Sequence, residues 1–343
     1  MLVTHRFARS SNKTHLRRAL SNNASVPARP FRTVLYVPAS NTRALNKLFS
    51  LAGRSKPDAV MFDLEDGVGP SNKSEARENL VQFFKDVSES NSSSSFFKMI
   101  RVNRMDTPWF QEDATIAHQV MEYNCDAVVL PKIEGLPDLE AAADHFQKLT
   151  SHDVPFWPMI ETPKAILSAG DIASHPSVHG LILGTNDLGK ELQLRPSQES
   201  GSSTSTFSIG STSATSREGL ITSLQLTILA ARAHGKFVID GVYNNFRDAE
   251  GFYYECNQGK EWGMDGKTLI HPSQVAVTNE IFAPSNDEVD YATKVVACWE
   301  EATRQDSFSG VAVLDGTLIE LLHVKTARKI LDTSERIKEA ESQ

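Results

Sequence analysis

Short runs of β-branched, aliphatic and aromatic residues recur along the chain from residue 33 onward. Several runs are nearly continuous in apolar residues instead of alternating with polar ones, which is typical of parallel strands buried on both faces. Most begin 25–40 residues after the run before, which leaves room for one crossover helix each. The pattern predicts eight strands, over residues 33–39, 59–66, 96–103, 127–134, 155–162, 178–188, 237–244 and 266–272.

Eight strand–helix units in about 250 residues are typical of one α/β architecture, the (β/α)₈ TIM barrel. Residues 74–87 and 218–235 support the helices, because their apolar positions have helical spacing. An open doubly wound sheet is the alternative. Such a sheet usually carries G-x-G-x-x-G in its first turn, and the turn here, VPASNTRALNK, lacks that motif. The sequence therefore favours the barrel.

The remaining segments divide the chain into three parts. Residues 1–30 form a leader, residues 31–304 the catalytic barrel, and residues 305–343 a C-terminal segment. Within the barrel, 13 of the 20 residues in 197–216 are Ser or Thr, a composition that predicts a disordered insertion in a loop on the catalytic side. Residues 275–304 have a helical pattern, and a second patterned piece follows over 310–331.

Composition and charge exclude several classes of protein. The chain of 343 residues has 40% hydrophobic and 23% charged residues, which is typical of a globular protein, and no run long enough to span a membrane. A net charge of −8 argues against nucleic-acid binding. The three cysteines are far apart in sequence, which argues against a disulfide or zinc framework.

The first 30 residues differ from the rest in charge. They contain six Lys or Arg residues with Ser and Thr between them, and no Asp or Glu occurs before Asp58. A basic, acid-free leader without a long apolar core predicts an organelle transit peptide and a mitochondrial matrix location. A disordered basic tail is the alternative.

Polar side chains stand at the carboxyl ends of the predicted strands, which is where barrel enzymes place their active sites. Any one of them could be a salt-bridged or capping residue. Convergence at all eight strand ends instead indicates a functional site. In strand order they are Tyr36; Asp63, Glu65 and Asp66; Arg101 and Asn103; Lys132 and Glu134; Glu161; Asn186 and Asp187; Asp240; and His271.

Two of these carboxylates suit a divalent metal ion. Glu161 and Asp187 follow adjacent strands, and no cysteine or paired histidine lies near them in the sequence. Mg²⁺ binds through one or two carboxylates and fills its other positions with water and ligand oxygens. A bound cation also explains why a buried strand ends on Glu161. Arg101, two strands away, has the planar fork that binds a substrate carboxylate through two bonds.

The first strand–helix turn carries a pair of cations. Arg43 and Lys47 are four residues apart, so both can face the same side of a helix. They can hold the phosphates of a large anionic ligand, or they can form a solvated basic face. Spacing alone favours the solvated face.

Eight motifs in order resemble one family of enzymes. LYVPASN, FDLEDGV, IRVN, LPKIE, IETP, GTNDLG, VIDGVYN and GKTLIHPSQV are similar in sequence and spacing to the citrate lyase β-subunit-like family of the HpcH/HpaI aldolase group, which includes malyl-CoA and citramalyl-CoA lyases. The resemblance runs from about residue 32 to residue 331. It implies a (β/α)₈ enzyme that uses Mg²⁺ to cleave or form a carbon–carbon bond between a 2-oxo acid and an acyl-CoA.

The same resemblance implies roles for individual residues. Glu161 and Asp187 would bind the metal, and Arg101 would bind the acid end of the substrate. The CoA side would be lined by Tyr36, Arg43, Lys47 and Lys132, and the pocket edge by Asp240 and Gly241.

The C-terminal segment departs from the family pattern. Mitochondrial-type members of the family have a catalytic Asp in a motif that ends on Pro there, which reaches the active site of a neighbouring subunit, and the resemblance implies a homotrimer. Here the stretch is DGTLIELLH, so Glu320 stands in place of the Asp and a Leu in place of the Pro. Glu320 is the expected base, and Asp315 is a second candidate.

The leading functional hypothesis is Mg²⁺-dependent cleavage of citramalyl-CoA to pyruvate and acetyl-CoA. Alternatives with the same site are a malyl-CoA or β-methylmalyl-CoA lyase or thioesterase, and a citrate lyase β (citryl-CoA lyase) subunit. A catalytically idle binding subunit is the alternative from another class, and the intact Arg101, Glu161 and Asp187 argue against it.

Overall fold

A closed barrel of eight parallel strands forms the body of the protein. The computed structural model describes residues 30–89, 96–195, 217–305 and 309–342. The strands pair in chain order, and β8 pairs with β1, so the sheet has no open edge. The predicted (β/α)₈ barrel is therefore confirmed and the open sheet excluded. The strands are β1 (Thr33–Pro38), β2 (Ala59–Asp63), β3 (Phe97–Arg101), β4 (Ala127–Leu130), β5 (Phe156–Ile160), β6 (Gly180–Leu183), β7 (Phe237–Asp240) and β8 (Gly266–Leu269).

Helices surround the barrel and bury their apolar faces against the strands. Asp248 caps the helix that follows β7, and Gly263, at φ 96°, ends it. The leader up to residue 29 and the predicted insertion at 197–216 lie outside the described residues. The helices are α1 (Thr42–Lys47), α2 (Lys73–Glu89), α3 (Phe110–Met121), α4 (Leu136–Leu149), α5 (Pro163–Leu167), α6 (Ala169–Ser174), α7 (Thr185–Glu191), α8 (Ile221–Ala233), α9 (Ala249–Trp262), α10 (Val275–Phe282), α11 (Asn286–Thr303) and α12 (Leu321–Ser342).

Aromatic side chains fill the barrel interior at the end opposite the carboxyl ends of the strands. Trp157 stacks on Phe237 with ring centroids 5.9 Å apart, and Phe31 packs against both rings. Gly180 is required beside them, because a Cβ there would lie 2.3 Å from the Trp157 ring. Among the described residues, these rings close the amino end of the barrel interior, and the carboxyl end is where barrel enzymes bind their ligands.

The segment after β8 contains two helices where the sequence pattern indicated one helical stretch. The predicted helical stretch 275–304 is two helices, because Pro284 lacks an N–H and holds Ala283 in an extended conformation. Ser285 then caps α11 through a reciprocal pair of bonds with Glu288.

The C-terminal patterned piece is a β-hairpin followed by a long helix. Strands β9 (Ala312–Leu314) and β10 (Thr317–Ile319) are joined by Asp315 and Gly316, both at positive φ, as a two-residue hairpin requires. Helix α12 packs on α11 around a small core of its own. Its last turn returns to the barrel, where Glu341 pairs with Arg32 at 3.2 Å. None of the described helices is both long enough and apolar enough to cross a membrane.

Candidate active site

A cavity of about 360 Å³ opens at the carboxyl ends of the barrel strands. Seven residues that the sequence singled out line it: Tyr36 of β1, Asp63 of β2 and Asp66 just beyond it, Arg101 of β3, Glu161 directly after β5, and Asn186 and Asp187 in the first turn of α7. They lie 151 residues apart at the extremes of the sequence, so the barrel, and not local structure, brings them together. Met159, Leu183, Val242 and Ile270 supply an apolar part of the wall.

The Glu161 carboxylate is buried close to other negatively charged groups. Its side chain is only 1% exposed, and it forms no ion pair with any described residue. Its Oε1 accepts a hydrogen bond from the backbone N–H of Lys132 at 2.7 Å. Burial, together with the negative charges of Glu65 and Asp187, raises the pKa of Glu161 to about 7. A positive ligand beside this group would relieve both effects.

Close packing fixes where the second Glu161 oxygen can go. Gly184 lies against Oε2, and a Cβ at that position would approach it to 2.3 Å. The glycine therefore lets α7, with Asp187 in its first turn, come close to Glu161. Asp187 is half-buried and lines the same cavity.

Arg101 is held by two carboxylates from the loop after β2. Its Nε and Nη2 donate to the two oxygens of Asp63, each at 2.7 Å, and its Nη1 lies 2.9 Å from Glu65. The ring of Tyr36 lies against the guanidinium, 4.9 Å from ring centroid to Cζ. These negative charges raise the pKa of Arg101 well above its ordinary value despite burial. Arg101 is thus a permanently charged, oriented donor at the cavity wall.

Hydrogen bonds within the loop and from Lys73 hold the loop that carries Asp63 and Glu65. Asp63 accepts the backbone N–H groups of Glu65 and Gly67. The buried ammonium of Lys73 donates to the carbonyls of Leu64 and Glu65 and to the Asn103 side chain at 2.6–2.8 Å. The loop geometry that orients Arg101 therefore depends on a buried lysine.

Lys132 belongs to this network and does not line the main cavity. Its Nζ lies 2.5 Å from Glu65 and 3.4 Å from Asp66. It lines a separate cavity of about 100 Å³ between the loops after β3 and β4. Its backbone is in the left-handed region, at φ 52°. These two carboxylates and that of Glu161 raise the Lys132 pKa.

The expectation that Asp240 and Gly241 lie at the pocket edge is wrong. Asp240 is completely buried and pairs with Arg217 at 2.6 Å and with Lys267 at 3.0 Å, and Lys267 also binds Glu255. The two cations lower the Asp240 pKa. Gly241 lies behind Thr185, since a Cβ there would meet the Thr185 hydroxyl at 2.3 Å. Both residues support the cavity wall from behind.

Three other candidates lie away from the cavity. Arg43 and Lys47 are exposed on α1, and Glu320 is exposed where β10 meets α12. The second candidate base, Asp315, is also exposed, at the hairpin turn. Within one chain, none of the four belongs to the lining of the cavity. Their expected roles with CoA or in a neighbouring subunit's site stay predictions.

Sequence reasoning missed the supporting roles of Glu65 and Lys73. In the sequence Glu65 is one of several strand-end acids, and Lys73 lies just before the predicted helix at 74–87. The available signal was the spacing of Lys73 from the DLEDG motif, which places it at the first turn of α2, close to that loop.

The donor set fits Mg²⁺. No group of three or more His, Cys, Asp or Glu side chains suited to a metal occurs among the described residues. Two carboxylates on one cavity, one of them buried without a side-chain cation, match an ion that takes one or two carboxylates and completes its shell with water and ligand oxygens.

The sequence is similar to one family of enzymes and to individual members that act on CoA thioesters. A model of the HpcH/HpaI aldolase/citrate lyase family matches residues 32–272. The (3S)-malyl-CoA thioesterase of Cereibacter sphaeroides is 42% identical over 310 residues, which cover 90% of this chain and 96% of that protein. The L-malyl-CoA/beta-methylmalyl-CoA lyase of the same species is 28% identical over 318 residues, covering 91% and 96%.

Solved structures agree on the fold. CitE of Mycobacterium tuberculosis, in complex with magnesium, acetoacetate and coenzyme A, matches with a TM-score of 0.66 at 22% identity, over 90% of this chain and 99% of that one. A citrate lyase from Burkholderia xenovorans matches with a TM-score of 0.73 at 17% identity, over 90% and 92%. At these identities the likeness shows a shared architecture.

Proposed function

Since the chain belongs to the HpcH/HpaI aldolase/citrate lyase family, we propose that it is a Mg²⁺-dependent enzyme that acts on the CoA thioester of a short 2-hydroxy acid. Hydrolysis of malyl-CoA to malate and CoA is the activity with most support. The thioesterase relatives are 42% identical over almost their whole length, whereas the lyase relatives are 28% identical.

One observation carries the proposal: a guanidinium held in place by Asp63 and Glu65 and two metal-type carboxylates line the same cavity. Arg101 supplies the guanidinium, and Glu161 and Asp187 supply the carboxylates. The acid end of malyl-CoA has a carboxylate and a hydroxyl on adjacent carbons; its carboxylate suits the charge of Arg101, and the oxygen atoms of both groups suit a cation that Glu161 and Asp187 would hold. The cavity of about 360 Å³ suits the acid end of the substrate, with the CoA extending out over the rim.

Glu161 and Asp187 would hold the Mg²⁺. When bound, the ion supplies a positive charge that polarises the oxygen atoms of the substrate's acid end. The chain's own contribution is orientation. Asp63 and Glu65 hold the Arg101 guanidinium in one direction, so Arg101 binds the substrate carboxylate with little loss of side-chain freedom.

In hydrolysis, a water oxygen bonds to the thioester carbonyl carbon, the carbon–sulfur bond breaks, and one proton passes from water to the CoA sulfur. The substrate must be held so that its thioester faces the water at the cavity mouth. Tyr36 and Arg101 both contact the Met159 sulfur, so these three side chains form one packed part of the cavity wall against which the acid end would lie.

Carbon–carbon cleavage of citramalyl-CoA is the second candidate. It is favoured by the apolar wall of Met159, Leu183, Val242 and Ile270, which suits the extra methyl group of that substrate. A methyl group in an apolar pocket contributes only about 1–3 kcal/mol, so one site can accept both substrates. In this reaction the hydroxyl proton leaves, the bond to the acetyl-CoA carbon breaks, and that carbon takes up a proton.

Two further parts of the proposal concern the chain outside the barrel. The basic leader supports a mitochondrial matrix location. The exposed position of Glu320 on the C-terminal hairpin and helix is compatible with delivery of this carboxylate to a neighbouring subunit of a homotrimer.

Product analysis tests the proposal. The protein is incubated with malyl-CoA and with citramalyl-CoA, with Mg²⁺ and with EDTA, and free thiol and acetyl-CoA are quantified separately. We expect Mg²⁺-dependent release of free CoA from malyl-CoA. Acetyl-CoA as the first product would favour the lyase, and turnover that is unchanged in EDTA would contradict both candidates.

A further inference from the structure

Lys132 contacts both halves of the candidate site with different parts of the same residue. Its backbone N–H donates to Glu161 Oε1 at 2.7 Å, and its ammonium lies 2.5 Å from Glu65 Oε1. The other oxygen of Glu65 lies 2.9 Å from Arg101. A continuous chain of contacts therefore runs from the metal-type carboxylate through Lys132 and Glu65 to the guanidinium.

The backbone conformation of Lys132 shows that this arrangement has a cost. Its φ of 52° is in the left-handed region, where a side chain with a Cβ is strained. Strain of this kind persists where the surroundings determine the conformation, and it concentrates at functional sites. In this conformation, the amide of Lys132 meets Glu161 while the side chain turns toward Glu65.

The burial of the ion pair argues against a direct role in CoA binding. The Lys132 side chain is 26% exposed and that of Glu65 is 6% exposed. A lysine that left Glu65 to bind a CoA phosphate would leave a buried carboxylate without one of its two cations, which is unfavourable. Arg43 and Lys47 are exposed on α1 and form no ion pair with a described residue, so they are free of this restraint.

We propose that Lys132 is a positioning residue that joins the metal-binding half of the site to the acid-binding half, and that it is not a ligand of CoA. It holds Glu161 through its amide and balances the charge of Glu65, so that Glu65 orients Arg101 without competing with the substrate for it. The inference rests on the proposed function, because it assigns the acid end of the substrate to Arg101 and Glu161.

Two ligands measured separately by calorimetry distinguish this role from CoA binding. The probes are free CoA, and malate in the presence of Mg²⁺. For Lys132→Met we expect malate to bind about 10- to 100-fold more weakly, as is usual when a hydrogen bond to a charged group is lost, and CoA to bind within about twofold of the original protein. Retained CoA binding also shows that the variant is folded.

Lys164→Met is the matched control. Lys164 is an exposed lysine just beyond Glu161 in the chain, and it pairs with Glu134 at 3.0 Å. Its loss should change neither affinity, because an exposed pair contributes little. The double variant Glu65→Gln/Lys132→Met provides an independent test, since neutralising Glu65 removes the charge that Lys132 balances. Its loss of malate affinity should be clearly smaller than the product of the two single losses.

The outcomes separate this inference from the proposed function. Lys132→Met that weakens CoA and leaves malate unchanged would overturn the positioning role while keeping the proposed function. Strictly multiplicative losses in the double variant would also overturn it. An unmodified protein that binds neither CoA nor malate with Mg²⁺ would instead contradict the proposed function.

Discussion

Arg101 and Asp63 form a two-pronged ion pair at the cavity wall, with Nε to Oδ1 and Nη2 to Oδ2 both at 2.7 Å. The two residues end adjacent strands, β3 and β2, and stand opposite one another in the strand register. Backbone pairing of the sheet thus places the guanidinium and its orienting carboxylate together. The site is organised before any ligand binds, which is the arrangement that favours catalysis by orientation.

Replacing Arg101 with Lys tests this organisation. A lysine keeps the charge but cannot form the two parallel bonds. We expect kcat/KM for the CoA thioester to fall by about 100-fold, the loss typical of a misplaced binding group. Arg104→Lys is the control, since Arg104 is an exposed arginine nearby that pairs with Asp106. Equal activity of the two variants in a thiol-release assay would show that Arg101 does not bind substrate.

Stability should depend on pH through Glu161. Its folded pKa of about 7 lies above the ordinary 4.5, so between these values the folded protein binds more protons than the unfolded chain. The metal-free protein should therefore lose stability as pH rises from about 4.5 to 7, by about 3 kcal/mol in total. The measurement is urea unfolding in EDTA at several pH values, with Glu161→Gln as reference.

The contribution of Glu161 is the difference between the two unfolding profiles. Carboxylates distant from Glu161 titrate equally in both proteins and cancel. Mg²⁺ requires the ionised carboxylate, so its stabilising effect should be larger at pH 8 than at pH 5.5. Parallel profiles, with no extra slope in the protein that carries Glu161, would show that this carboxylate is not destabilised by burial.

Gly184→Ala should damage the metal site with little effect elsewhere. The added Cβ would lie 2.3 Å from Glu161 Oε2 and 2.4 Å from Glu161 Cβ, so the glutamate must move. We expect the Mg²⁺ affinity measured by calorimetry to fall by about tenfold or more, as for the loss of a charged hydrogen bond. Gly170→Ala is the control, because a Cβ there meets nothing within 4 Å. Unchanged Mg²⁺ affinity in Gly184→Ala would argue against Glu161 as a metal ligand.

Asp240→Asn should lower stability, because the substitution removes the charge that balances Arg217 and Lys267 in a fully buried cluster. Breaking such a buried pair costs about 3–5 kcal/mol. Asp332→Asn, at an exposed helical pair with Arg336, should cost less than about 0.5 kcal/mol. Urea unfolding measures both. An Asp240→Asn protein that is as stable as the original but has a raised KM would contradict this structural role and would support the predicted position of Asp240 at the pocket edge.

The strands and the charged residues of the cavity were predictable from sequence for a simple reason. Buried parallel strands are apolar throughout, so the first polar residue after each run marks the carboxyl end of the strand. Tyr36, Arg101, Glu161 and Asp187 were found in this way, and all four line one cavity.

The same rule failed where a strand-end charge has a structural partner distant in sequence. Asp240 stands at the carboxyl end of its strand, as Glu161 does, but Arg217 and Lys267 neutralise it within the protein. Sequence does not show which of two similar carboxylates has a buried cation beside it. For Lys132 the missing information was the backbone conformation, which turns the side chain away from the main cavity.

The most direct test of the account is the Mg²⁺ dependence of malyl-CoA turnover in the unmodified protein and in Glu161→Gln. We predict that thiol release by the unmodified protein rises with Mg²⁺, saturates and is abolished by EDTA, and that Glu161→Gln is inactive at the same Mg²⁺ concentrations while still binding free CoA. Turnover of equal rate in the two proteins, or turnover that persists in EDTA, would contradict a metal-dependent site at Glu161 and Asp187.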